Sequence, residues 1–331
     1  MKRAIAKHKL AVKVIVSTAL IAFLLTKVSI SDLFRIVSSI DPGLVLASMA
    51  CYFVSNVLGA YQWHLLLASS GIRLRFAQAF QFYFVGLFFN NFLPANIGGD
   101  AIKVYDVSRV GSSVYQVIAV TLLDRLLGIF SLCVLALGAV AYVARSDQPG
   151  PYGLYVIVFA ACMVPALGFY FIKPLGNWLR RTVMRVRSLS LDVRISSVLD
   201  HLGKFKGKKP LVLQLVGLSI VIQAMRVYTH ILVALALAIP LTALAKAQFF
   251  VFVPLLSLAM IPPITINGLG IREGLGIVLF ANAGLSAADA FAMEFLTFVA
   301  SVIVSLVGFL MFVSRRQRAP KEVDRVSDSG I

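Results

Sequence analysis

Eight apolar runs restrict this chain more than any other feature: residues 10–27, 43–68, 76–93, 114–144, 152–172, 211–239, 247–262 with its continuation, and 288–313. Each is long enough to enter or cross a bilayer. In hydrocarbon every backbone N–H and C=O must be satisfied within the protein, so runs of this length predict helices. With 60% hydrophobic and only 14% charged residues, and a mean hydropathy of +0.91, the chain carries too much apolar surface for a soluble domain of 331 residues. The expected class is an all-α polytopic membrane protein.

The formal net charge of +17 does not indicate a nucleic-acid partner, because the basic residues are placed for a membrane surface. They concentrate in an arm at 1–9 with Lys13 just beyond it, in the loop holding Arg73 and Arg75, in the segment 173–209, and in a tail at 314–331. These lie between or beyond the apolar runs of a single membrane domain, 10–313. That is the positive-inside pattern, with anionic lipid headgroups at the cytoplasmic face as its partners. Within 173–209, Leu175, Trp178, Leu179, Val183 and Val186 recur at helical spacing against Arg180, Arg181, Arg185 and Arg187, predicting a basic amphipathic surface helix over 174–205. A shorter interfacial helix is predicted over 28–42. Cys51, Cys133 and Cys162 fall inside apolar runs without metal or disulfide spacing and read as small buried hydrophobes.

Charge parity then constrains topology. If every run crossed and the N-terminal arm were cytoplasmic, the basic segment 173–209 would lie outside, against the charge bias. A run that enters and leaves by one face restores it. The candidates are the two runs interrupted by Pro94-Ala95-Asn96-Ile97-Gly98-Gly99-Asp100 and by Pro263-Ile264-Thr265-Ile266-Asn267-Gly268-Leu269-Gly270. The expectation is about six crossings and two re-entrant hairpins of opposite direction, with both termini cytoplasmic. An offset of 169 residues superimposes the two breaks and carries Lys103 onto Arg272 and Arg125 onto Glu294. It relates a first repeat at about 43–144 to a second at about 211–313 as an inverted pair. Broken helices at membrane depth require a protein-lined or water-filled surround, so a polar cavity is expected where they meet.

Charged residues inside apolar runs cost roughly 2.5–3.5 kcal/mol each on insertion scales and mark functional positions. Lys103, Arg125 and Arg272 are the candidate ligand-binding cations, with Asp124, Glu273, Glu294 and Arg226 as charge partners or proton carriers. Arg125 lies ~16 Å along its helix, near the bilayer midplane. Asn90 and Asn91 either satisfy the interrupted backbone or contact substrate. Gly98, Gly99, Gly268 and Gly270 supply close approach and unusual backbone angles, and Asp100 reads as a helix N-cap. A helix restarting after each break aims N–H groups at the cavity, which suits a phosphate or carboxylate. Gln62, Trp63 and His64 read as an aromatic belt, and His230 as interfacial. The sequence carries no catalytic triad, phosphate loop, metal motif or cofactor fingerprint, and is read as a non-enzyme.

The residues Phe92-Leu93-Pro94, Gly98-Gly99-Asp100-Ala101 with Lys103, Asp124-Arg125 with Gly128, and Pro263 through Gly268-Leu269-Gly270 with Arg272-Glu273 resemble the lysylphosphatidylglycerol synthase transmembrane-region family, also called flippase-like proteins. The resemblance covers about 10–313 and implies an inner-membrane protein that moves or presents aminoacylated or glycosylated lipids. Lys103 stands where the family commonly has Arg, which keeps the charge and loses bidentate geometry. A polar tail stands where full-length synthases continue into a soluble aminoacyl-transfer domain, so the resemblance implies the translocating half alone. The expected function is a lipid translocase for a phospholipid or polyprenyl-linked lipid. A membrane-embedded headgroup transferase, or a partner subunit of a lipid-modifying enzyme, are the alternatives.

Overall fold

The computed structural model describes residues 40–92, 98–146, 150–171, 197–198, 200–203, 205, 207–262, 268 and 270–316. The first apolar run, most of 28–42, most of the basic segment 174–205, most of the tail, and Pro94 and Pro263 lie outside them. The described elements are helical, in the order α1 (Pro42–Ser69), α2 (Phe76–Phe92), α3 (Gly98–Ser108), α4 (Val114–Val143), α5 (Tyr152–Phe171), α6 (Lys209–Ala236), α7 (Ala243–Ala259), α8 (Ile271–Phe280) and α9 (Ala287–Arg316), with a short 3₁₀ turn at Ala281–Ala283. Among the described residues, α1, α4, α6 and α9 are long and apolar enough to cross a bilayer. The protein is an all-helical, multi-pass membrane protein.

Local chemistry sets the helix starts. Asp41 caps α1, its carboxylate accepting from the backbone N–H groups of Gly43 at 2.8 Å and Leu44 at 3.2 Å, and Pro42 occupies the first turn, where its missing N–H costs nothing. Thr242 caps α7 in the same way, accepting from the Ala245 N–H at 3.1 Å. The restarts differ: α8 opens on Gly270 with φ 86°, a left-handed value that glycine adopts without strain.

Lengths repeat along the chain. α1, α2, α3 and α4 have 28, 17, 11 and 30 residues; α6, α7, α8 and α9 have 28, 17, 10 and 30. At 1.5 Å per residue the 28- and 30-residue helices run ~42–45 Å, ample for a ~30 Å hydrocarbon core, whereas an 11-residue helix runs only ~16 Å. Packing repeats with the lengths. α1 and α6 form the most extensive pair, α2 packs on α9 as α7 packs on α4, and α3 lies against α4 as α8 lies against α9. The halves are therefore interlaced, the 17-residue helix of each held by the long last helix of the other, and the 10- or 11-residue helix by that of its own half. At the α2–α9 contact, Gly308 is so close to the Phe84 carbonyl that a Cβ there would overlap it. Phe88 meets Phe309 and Phe89 meets Phe312 at ring-centroid distances of 5.2 and 5.1 Å, and Asn91 donates to the Ser305 hydroxyl at 2.7 Å.

The helices correct the 169-residue register. Pro42, Phe76, Gly98 and Val114 correspond to Lys209, Ala243, Ile271 and Ala287, so the offset is 167 before the breaks and 173 after them. The second break is six residues longer (260–270 against 93–97). An alignment anchored on the breaks falls between the two values and matches neither pair of flanking helices. In the helical register Asp100 corresponds to Glu273, each the third residue of its helix, while Arg125 corresponds to Phe298 and Glu294 to Thr121. The expected pairing of Arg125 with Glu294 across the repeat does not hold.

Two apolar cores support these elements. One, around Trp63, Leu66, Leu67, Val117 and Val120, joins α1 to α4; the other, around Phe249, Phe252, Phe280 and Met293, joins α7, α8 and α9. The charged residues are held beside these two cores.

Candidate functional site

On either side of the first break, α2 and α3 meet backbone to backbone. A Cβ on Gly86 would stand 2.8 Å from the Gly99 carbonyl oxygen, and one on Gly99 would overlap the Gly86 carbonyl, so both positions require glycine for close approach. Asn90 accepts from the Gly99 N–H at 2.8 Å, satisfying one of the donors that a helix start leaves free. Of the two roles open to Asn90 and Asn91, the structure gives backbone satisfaction to the first and a tie to α9 to the second.

One turn into α3, Asp100 holds two cations. Its Oδ1 lies 2.8 Å from Lys103 Nζ, and its Oδ2 accepts from Arg125 Nε and Nη2, each at 2.8 Å. Asp100 therefore lies inside the helix as a counter-ion and does not serve as the expected N-cap. The Lys103 ammonium also sits over the rings of Tyr83 at 4.9 Å and Trp63 at 5.3 Å. Burial separates the partners: side-chain exposure is 7% for Lys103 and 12% for Asp100, against 48% for Arg125. Asp124 accepts from Gln62 Nε2 at 2.8 Å, so the carboxylate that bridges Lys103 and Arg125 is Asp100, not Asp124. Gln62 and Trp63 are buried members of this group, which corrects their reading as an aromatic belt. His64 packs edge-on to Phe76.

A second group forms at the start of α8. Glu273 reaches back to the start of α8, accepting from the Gly270 N–H at 2.6 Å. Gly268 precedes it with φ 74° and packs against Met260. Arg272 approaches Glu294 on α9, Nε to Oε2 at 3.4 Å, and its Nη2 stands 3.9 Å from Glu273 Oε1; its guanidinium lies 5.1 Å from the Phe298 ring. His230 on α6 places Nε2 3.6 Å from Glu294 Oε1, which corrects its interfacial reading. Glu273 and Glu294 are essentially fully buried, and Arg226, one turn before His230, has a buried Nε without a hydrogen-bond partner.

Lys103, Arg125 and Arg272 were expected on one cavity. They fall instead into two groups of different character: a tight one with 2.8 Å contacts and a half-exposed guanidinium, and a buried one with contacts of 3.4–3.9 Å. Tyr52 on α1 links them, within electrostatic reach of Arg226, Arg272 and Tyr83. Sequence reasoning missed Tyr52 and Asn56, although a signal was present. Tyr52, Asn56, Gly59 and Trp63 recur at spacings of four, three and four along an apolar run, a single helix face carrying polar groups at membrane depth.

Chemically, the first group can receive an anion. One carboxylate is shared between two cations, and the half-exposed Arg125 guanidinium is a planar, permanently charged group of the kind that fits phosphate or carboxylate. The tight apolar packing beneath Lys103 holds its charge in place.

The comparisons with known proteins agree with this architecture. The family model described as lysylphosphatidylglycerol synthase TM region matches residues 10–308. A UPF0104 membrane protein of Methanothermobacter thermautotrophicus is 22% identical over 329 residues, 92% of this chain and 93% of its own. A UPF0104 membrane protein of Pyrococcus horikoshii is 27% identical over 132 residues, which span 39% of each chain. With the match running through both breaks and both charged groups, the chain belongs to the lysylphosphatidylglycerol synthase transmembrane-region family.

Proposed function

We propose that this protein is a lipid translocase that binds an anionic headgroup, aminoacylated or glycosylated, at the breaks of two re-entrant hairpins and passes it between leaflets. The observation that carries the reading is the half-exposed Arg125 guanidinium held by buried Asp100 beside buried Lys103, within helices that belong in hydrocarbon. A cation so placed costs insertion energy that a buried ion pair returns poorly as stability, so a ligand-binding role accounts for it better than a structural one. α2–α3 and α7–α8 act as the hairpins, entering from opposite faces, with both termini cytoplasmic in the inner membrane. The interlaced packing of the two halves supports this, because moving one half against the other alters both breaks together. In this reading the chain performs no covalent chemistry, and a lipid-modifying enzyme supplies the substrate.

The test is headgroup movement between leaflets in liposomes containing the purified protein and a labelled anionic phospholipid. Acceleration over protein-free liposomes, lost in Arg125→Ala and in Arg272→Ala, is expected. Unchanged rates in either variant refute the mechanism.

A further inference from the structure

The second charged group contains a contact that ordinary protonation states do not satisfy. His230 Nδ1 lies 3.1 Å from the Arg226 backbone carbonyl. A carbonyl only accepts, so Nδ1 carries a hydrogen and donates. In a neutral imidazole the hydrogen is then absent from Nε2, and Nε2 faces Glu294 Oε1 at 3.6 Å. Glu294 is 0% exposed, and neither of its oxygens has a hydrogen-bond partner. A neutral His230 beside an ionised Glu294 would set two lone pairs against each other in a buried place, an arrangement that costs free energy.

The geometry points to a proton-exchange site formed by Glu294 and His230, which controls whether Arg272 is free to bind an anion. One proton in the gap, on Nε2 or on Oε1, turns the opposed lone pairs into a hydrogen bond. It comes from water, adds to one lone pair, and breaks no other bond in the protein. Its effect passes to Arg272. With the proton present, Glu294 is neutralised by it and holds Arg272 loosely, in keeping with the Nε–Oε2 distance of 3.4 Å. With the proton gone, the charge of Glu294 falls to Arg272 alone and draws the guanidinium in toward the 2.7–2.9 Å typical of charge-assisted bonds. The charged and titratable groups around the site are Arg272 and Glu273 on α8, Arg226 on α6 and Tyr52 on α1, with Tyr83 of α2 in reach of Tyr52. Arg226, Arg272 and protonated His230 against Glu273 and Glu294 leave one positive charge, the sign that receives an anion. Linkage fixes the direction: an anion on Arg272 raises the affinity for the proton, and the proton raises the affinity for the anion by the same factor.

This inference rests on the translocase reading for its purpose, but its test does not require lipid movement. Infrared difference spectra of the full chain in phosphatidylcholine vesicles are recorded from about pH 4 to 10, a window that brackets the unperturbed His and Glu values. A carboxyl band and a histidine ring band should titrate together, the first lost in Glu294→Gln and the second in His230→Gln. Each substitution should move the midpoint of the other band by about one unit, a tenfold change in proton affinity. Adding sulfate, or replacing the lipid with phosphatidylglycerol, should raise the midpoint in the wild-type chain relative to Arg272→Gln, a difference that cancels the vesicle's surface potential. A rise with sulfate alone identifies a free anion as ligand, and a rise with phosphatidylglycerol alone identifies a lipid headgroup. Bands that titrate independently, no titration in the window, or a midpoint moved by neither anion would overturn the proposal. If the coupling is found and headgroup movement is not, the translocase reading alone fails.

Discussion

Asp100→Asn removes one negative charge from beneath two cations and keeps the side-chain shape. Three charge-assisted contacts of 2.8 Å end on this carboxylate, from Lys103 Nζ, Arg125 Nε and Arg125 Nη2. Breaking a buried ion pair by neutralising one partner costs about 3–5 kcal/mol, because the other charge stays buried and uncompensated. The two cations do not share this cost equally. Arg125 is half exposed and can be solvated, whereas Lys103 is 7% exposed and keeps the faces of Tyr83 and Trp63, each worth about 0.5–2 kcal/mol, and the Asp124 carboxylate within electrostatic reach. The expected net loss is therefore about 2–4 kcal/mol and resides mainly on Lys103. At roughly 2–4 °C per kcal/mol, thermal unfolding in nanodiscs followed by tryptophan fluorescence should shift down by about 4–16 °C. The double variant Asp100→Asn with Lys103→Met should recover most of the loss, since it removes the stranded charge. An Asp100→Asn chain as stable as wild type, or a double variant no better than the single one, would refute the assignment of Asp100 as the shared counter-ion.

Other expectations follow from single contacts. Gly308→Ala places a methyl group on the Phe84 carbonyl, and the strain of separating α9 from α2 should cost about 1–3 kcal/mol in the same unfolding assay; a neutral result would show that these helices do not touch at the backbone. Gly270→Ala forces a side chain into a left-handed conformation at the α8 start, for about 1–2 kcal/mol of lost stability. Gln62→Leu withdraws the donor from Asp124 and should cost about 1–3 kcal/mol, whereas the same change at Gln116, which donates to the Ser70 carbonyl near the helix ends, should cost less.

Much of this architecture was legible in the sequence for physical reasons. A helix in hydrocarbon must be long and apolar, so the run at 114–144 became α4 at Val114–Val143 and the run at 43–68 became α1 at Pro42–Ser69. Breaks at membrane depth need glycine, and Gly99 and Gly270 stand where close approach and a left-handed turn demand it. The register between the halves was not legible. Identities at the breaks pulled the alignment to 169, while the six extra residues of the second break divide the helical offset into 167 and 173. Charge pairing was not legible either, because a carboxylate one turn into a helix reads locally as a cap. Only the packing of α3 on α4 shows that Asp100 reaches Arg125 across 25 residues. Similarly, His230 and Glu294 are 64 positions apart, and nothing local to either announces the other.

The account depends on two hairpins that enter from opposite faces of the membrane, and single-cysteine accessibility in sealed vesicles tests this most directly. Cysteines are introduced singly at the entry and exit of each hairpin, at Arg73 and Gly111 for α2–α3 and at Leu241 and Gly284 for α7–α8, on a chain with Cys51, Cys133 and Cys162 replaced by alanine. Positions 73 and 111 should react with an impermeant thiol reagent from one side, and positions 241 and 284 from the other. Labelling of 73 and 111 from opposite faces, or of all four positions from the same face, would contradict it.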